Sequence, residues 1–286
     1  MPELNELSTK IFVKGDEVMR TSKTFILGIL FIVFCIGNIV IAQDDTVVAI
    51  VKGKQIARME LQPSAELIEQ NRNKMNQLEF TQWLGRYQKD KLTGIIFGAL
   101  LNEYAKENNI SPTDEEVEVF IAKSKERRVK MQSEWEQKKN ELLEKLKSPN
   151  LTEAEREKIN SELKTVEKLL ESREKMEQYI KKDEAKSREA ERNVAKQVIL
   201  SWKINKSLYD RYGGRVIFQQ AGPEPVDAYR DFLKKYEKKG SFQIMDETLK
   251  DQFWDYFVSD KHTFYPTEEG TKFMNTPWWL LEKDKN

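Results

Sequence analysis

"KSPNLTEAE", residues 147–155, interrupts a stretch, 113–192, in which 41 of 80 residues are charged and none is glycine. Pro149 and Asn150 stop a helix, because proline offers no N–H and disfavours helical geometry in the residue before it. Thr152 with Glu155 then starts the next one as a capping box, each side chain satisfying a free backbone N–H of the other. Two long helical limbs joined by so short a break return antiparallel, as a hairpin.

The limbs carry their own seam. Val117, Ile121, Met131, Trp135, Leu142 and Leu146 recur along the outgoing limb, and Ile159, Leu163, Val166, Leu170, Met176 and Ile180 along the return. Between 159 and 170 the spacing is the 4-3-4 of a heptad, which predicts a coiled-coil contact. Elsewhere the faces are laced with Glu-to-Lys/Arg pairs four apart, such as Glu171 with Lys175 and Glu184 with Arg188. Each adds only about 0.2–0.5 kcal/mol, but together they hold an exposed helix in water. Thirty-four residues of such a helix reach roughly 50 Å.

Outward from the hairpin, the chain reads as a smaller, more apolar body. "TVVAIV" (46–51) is a strand of β-branched residues, followed by a turn at Lys52-Gly53-Lys54 and a second extended piece. Helical stretches are expected at about 63–83 and 86–107, with Ile95, Ile96, Ala99, Leu100 and Tyr104 making a buried face. Thr113 with Glu116 forms a capping box at the foot of the outgoing limb. On the far side the return helix is expected to run on to Gly213 and Gly214. These glycines are not a phosphate cradle, which runs from strand through loop to helix; here a helix precedes and a strand follows. They read as a helix C-cap with positive φ. The strand "RVIFQ" (215–219) is expected to pair with "TVVAIV", "AGPEP" (221–225) to be a turn, and "SFQIM" (241–245) another strand. The last forty residues are rich in aromatics, including Phe253, Trp254, Tyr256, Phe257, Phe264, Tyr265, Trp278 and Trp279.

Composition narrows the functional classes. Acids and bases balance at 48 each, so no excess positive charge is available to neutralise a nucleic-acid backbone, and nucleic acid is not expected as a partner. With 34% charged and 39% hydrophobic residues, the chain is too polar for one compact core and reads as elongated. "TFILGILFIVFCIGNIVIA" (24–42) is an apolar run of near-spanning length, preceded by Arg20 and Lys23 and followed by Asp44 and Asp45. The charge asymmetry sends everything after it outward. Val40 and Ala42 have the small-residue spacing of signal cleavage, with Gln43 as the mature N-terminus. The run reads as a signal peptide or, uncleaved, a signal anchor. Met19 is an alternative start. Cys35, the sole cysteine, lies within that run, so no disulfide is expected in the exported part, and Phe34 before it argues against lipidation.

Two stretches carry a family resemblance. "VVAIVKGKQIARMEL" (47–61) resembles the opening strand, glycine turn and helix entry of SurA-like periplasmic chaperones, and "IIFGALLNEYAKENNISPTDEEVEVFI" (95–121) resembles their long helix, turn and acidic helix start. "AKQVILSWKINKSLYDRYGGRVIFQ" (195–219) stands where that family's returning helix and strand complete the domain. The resemblance implies a helical chaperone-type body. In relatives with prolyl isomerase activity a parvulin domain with paired histidines fills the space between the two halves. Here the hairpin fills it, and the single histidine, His262, lies downstream of both halves, so isomerase activity is not implied.

The residue inventory excludes Ser-His, Cys-His and thiolate-zinc arrangements, and no catalytic, cofactor-binding or metal residues are expected. Acids such as Asp114, Glu115 and Glu116 read as first-turn residues favoured by the helix dipole. Trp83, Tyr87, Met131, Trp135 and Met176 are the candidate client-binding residues, since aromatic and methionine side chains make adaptable apolar contacts, although each also suits a core or seam.

The expected fold is mainly α: a helical body with a small β-sheet from N- and C-terminal segments, plus a long antiparallel hairpin. The expected division is an N-terminal extension with signal segment (1–42), a SurA-N-like body (43–112 plus 193–245), the arm (113–192) and an aromatic-rich tail (246–286). The expected function is an exported, periplasmic, non-enzymatic holdase for unfolded envelope or outer-membrane proteins. The alternative is a scaffold protein that dimerises or binds partners through its hairpin.

Overall fold

The computed structural model describes residues 46–219 and 222–281. The run 24–42 and the expected cleavage between Ala42 and Gln43 lie outside the described residues. The chain is mainly helical with a small antiparallel sheet, and the described residues hold eight α-helices and five short strands. None of these helices is long and apolar enough to cross a membrane. Two compact units emerge, 46–108 with 227–262, and 109–226 with 263–281. This grouping differs from the division drawn from sequence in two places: residues 193–226 group with the arm, and 246–262 join 227–245 beside the N-terminal segments.

In the first unit, β1 (Val47–Val51) and β2 (Lys54–Ala57) form a hairpin through Lys52 and Gly53, whose φ values of 51° and 77° give the turn that matches strand twist. α1 (Ala65–Arg72) and α2 (Gln77–Glu107) follow. The helix break falls at 73–76 rather than 84–85, because Asn76 accepts from the Glu79 amide and Glu79 returns the bond to Asn76. α2 buries Leu92, Ile96, Leu100 and Tyr104 along one face. Aromatic residues of α6 (Val226–Lys238) and α7 (Glu247–Val258) meet that helix. Phe97 stacks on Tyr229 at 5.2 Å, and Tyr104 meets Phe232 edge-on at 5.4 Å.

The remaining strand of this unit, β5 (Phe242–Ile244), pairs with the free edge of β1 and gives the antiparallel order β2–β1–β5. Asp246, just beyond β5, caps α7 by accepting from the Leu249 amide at 2.8 Å and forms an ion pair with Arg58. Burial works to raise the Asp246 carboxyl pKa, but the Leu249 amide, Arg58 and the Thr248 amide outweigh it and hold the group below its usual value.

The second unit contains the hairpin. α3 (Asp114–Leu146) and α4 (Glu153–Lys182) both open on the expected capping boxes, Thr113 with Glu116 and Thr152 with Glu155. The return limb is two helices rather than one. It breaks at Asp183 (φ −143°, ψ 78°), whose side chain accepts from the Lys186 amide and starts α5 (Glu184–Tyr212). α5 ends as expected: the Gly213 amide donates to the Tyr209 carbonyl at 2.7 Å, and Gly213 and Gly214 have φ of 66° and 98°.

The expected pairing of 215–219 with 46–51 is not what forms. β3 (Val216–Gln219) pairs with β4 (Gly222–Pro225), the segment read as a turn. The neighbouring segment closes at far smaller entropic cost than one over 160 residues away, and β1 already has β2 and β5. Pro223 and Pro225 are tolerated because their missing N–H groups fall on alternate positions of an edge strand. Buried Asn205 of α5 donates to the Pro223 carbonyl at 2.8 Å. α8 (Thr267–Asn275) leads to the C-terminal stretch, where Trp279 is 7% exposed in a core with Val117, Phe120, Ala195 and Ile199. That core joins the foot of α3 to α5, reinforced by Lys203, which reaches both Glu116 and the Ser111 carbonyl.

Candidate functional site

The candidate residues fall into two groups, one in each unit. On α2, Trp83 and Tyr87 are half-exposed and stand 5.9 Å apart between ring centroids. Phe80 continues the ladder at 5.5 Å from Trp83 and is covered by the guanidinium of Arg72. Met131, Trp135 and Met176 belong to the arm.

The arm's seam is packed toward its tip. Leu142 and Val166 are buried, Leu146, Ile159, Leu163 and Leu170 are half-buried, and Lys139 pairs with Glu167 at 3.0 Å. Nearer the foot both limbs run out of apolar seam residues at the same level. Between Ile121 and Trp135, the α3 positions facing the return limb include Ser124, Arg127 and Arg128. Beyond Leu170, the next seam positions of α4 are Arg173 and Glu177, which pair with each other at 3.2 Å. The seam expected to continue through Met176 and Ile180 therefore ends at Leu170. Trp135 stays half-buried, but Met131 (39%), Met176 (44%), Tyr179 (63%) and Ile180 (39%) are exposed. Tyr179 and Arg173 were missed in the sequence; charged residues at two successive heptad positions were the available signal.

Ion pairs join the limbs at both ends. Lys139 meets Glu167 toward the tip, while nearer the foot Arg128 meets Glu191 at 2.6 Å and the next residue, Arg192, reaches Asp114 at 2.9 Å and also pairs with Glu118. Between them the return limb breaks at Asp183, and residues 174–190 around this elbow are exposed except for partial cover at Glu177 and Ser187. The elbow carries five acidic and five basic side chains, so its field has no net sign.

Among the described residues no cluster of His, Cys, Asp or Glu is arranged to hold a metal ion. His262 donates from Nε2 to the Tyr256 carbonyl at 2.7 Å and packs edge-on to that ring, a role in holding the chain beyond α7.

A family model, the SurA-like N-terminal domain, matches residues 17–170, just over half of the chain, running from before β1 to the end of the packed seam. The chain belongs to the SurA-like N-terminal domain family. No curated protein and no solved structure matches it. SurA-like N-terminal domains are chaperone-type modules, periplasmic in general, and the family implies unfolded polypeptides as clients. In this SurA-like chain the family match ends at Leu170, the last residue of the packed apolar seam.

Proposed function

We propose that the protein is a periplasmic holdase: it keeps unfolded envelope or outer-membrane proteins from aggregating, and it catalyses no prolyl isomerisation. The observation that carries this reading is the exposure of Met131, Met176, Tyr179 and Ile180 where the arm's seam fails. Side chains of this kind on a solvated helical arm cost free energy unless something covers them. Methionine adapts its shape to varied apolar partners, which suits a binder of many sequences. The Trp83–Tyr87 ladder is a second apolar contact surface of the same character. The export signal read at 24–42 and the family's usual compartment support a reading in which these surfaces meet envelope clients.

The test is aggregation of a urea-unfolded outer-membrane β-barrel protein diluted into buffer, followed by light scattering. Equimolar protein should suppress scattering, and a variant with Met131, Met176, Tyr179 and Ile180 all changed to serine should lose most of that effect. Full suppression by the serine variant would remove the arm from the client site.

A further inference from the structure

We infer that the chain stays in the membrane through residues 24–42 and that the end of the sheet nearest this run rests on the bilayer, with Met59 and Met245 entering the lipid interface. This partner is lipid, distinct from the clients of the holdase reading. The first observation is the length of the run. Nineteen residues without a charged side chain reach about 28 Å as a helix, close to the roughly 30 Å of a hydrocarbon core. The apolar part of a removed signal is only about 7–15 residues long. The second observation is the family match, which opens at residue 17 and so holds the run inside the shared domain, whereas a removed leader precedes one.

The third observation places the membrane against one end of the first unit. The run ends at Ala42 and β1 begins at Val47, so the strand starts at most about 18 Å from the end of the run. β2 and β5 both run antiparallel to β1 and both end beside its start: Val47 faces Ala57, and Ala49 faces Ile244. From those ends the chain passes into Arg58–Met59 and Met245–Asp246. The Arg58 amide donates to the Thr46 carbonyl at 2.9 Å, and the Met245 amide to the Val48 carbonyl at 2.8 Å. Met59 (43%) and Met245 (49%) are exposed, one on either side of the strand that arrives from the run. Arg58 and Asp246 neutralise each other at this same end, so the contact is apolar rather than a response to anionic headgroups, which draw clustered positive charge. Unbranched, flexible methionine side chains fit among acyl chains. Two of them suffice because the tether holds them beside the bilayer at high effective concentration.

The experiment uses the full chain. Produced in a Gram-negative host, it should stay in the membrane pellet after alkaline carbonate washing, with an intact mass that includes residues 24–42. The same chain, carrying a photo-cross-linking amino acid at Met59, Met245 or, for comparison, Leu78, is then reconstituted into phosphatidylcholine vesicles with a radiolabelled tracer lipid. Leu78 is 67% exposed and lies in the same unit, at the start of α2. Lipid should cross-link to positions 59 and 245 at least about fivefold more than to 78. All three side chains are exposed, so each labelled chain should keep the native cooperative melt.

A chain that begins at Gln43 in the soluble periplasmic fraction overturns the inference, as does equal lipid cross-linking from 59, 245 and 78. Cross-links from 59 or 245 to a second copy of the chain overturn it in favour of self-association. Replacement of the lipid cross-links by client cross-links, when a urea-unfolded β-barrel protein is added, overturns it in favour of a client surface. The light-scattering assay decides the holdase reading separately in every case.

Discussion

Gly222 is held to glycine for two independent reasons. Its φ is +114°, and a Cβ there would lie 2.5 Å from Nε1 of Trp278, whose indole rests against the backbone. Gly222→Ala should therefore destabilise the arm-bearing unit by at least about 2 kcal/mol, read from urea unfolding. Trp279→Ala empties the core between α3 and α5 and should cost about 3–5 kcal/mol in the same measurement. Asp246 gives a pH-dependent counterpart. Its folded pKa lies below its unfolded value, so its contribution is complete above about pH 4 and disappears as the pH falls through the lowered folded value. Arg58→Met removes one of the causes. The stability difference between native chain and variant should be largest at neutral pH and shrink toward zero in strong acid, measured by urea titrations from pH 7 to 2.

At the scale of elements, the arm is the most legible part, because its signals are local. Capping boxes at Thr113 and Thr152, the Pro149 break and the glycine pair each act within four residues of themselves, and the structure repeats all of them. What sequence left unread depended on partners. The strand 216–219 took the adjacent 222–225, whose two prolines disguised it as a turn, and the seam's end depended on Arg173 and Glu177 falling opposite the polar stretch of α3. Among the candidate site residues, Met131 and Met176 were readable as apolar, but their exposure followed from register, which no single limb encodes. The same logic makes the foot of the arm self-sufficient. Replacing residues 129–188 by a short Gly/Ser linker should leave its core of Val117, Phe120, Ala195, Ile199 and Trp279 intact, so the cooperative melt persists while aggregation suppression is lost. A molten product, detected by loss of near-UV circular dichroism, would mean that the arm and its foot share one folding unit.

For the molecule as a whole, charge balance is the controlling property. With 48 acidic and 48 basic residues, client capture by apolar contact should depend little on ionic strength, whereas capture by opposite charge would fall steeply with added salt. Light-scattering suppression measured at 50 and 500 mM salt should differ by less than about twofold. The balance was evident from composition alone, as was an elongated helical element. The grouping into units was only partly so: 227–245 was expected beside the N-terminal segments, but the joining of 246–262 to them rests on long-range contacts such as the Arg58–Asp246 ion pair and the meeting of Phe257 with Phe97 of α2.

That edge also sets a clock. β1 is complete at Val51, but the strand that closes it begins at Phe242, after the whole arm. At about 5–20 residues per second of synthesis, the interval is roughly 10–40 s. Throughout it the newborn hairpin, too small to be stable alone, presents an unpaired row of amides and carbonyls to whatever is near. The chain thus spends its own youth in the condition of the unfolded proteins it is proposed to guard.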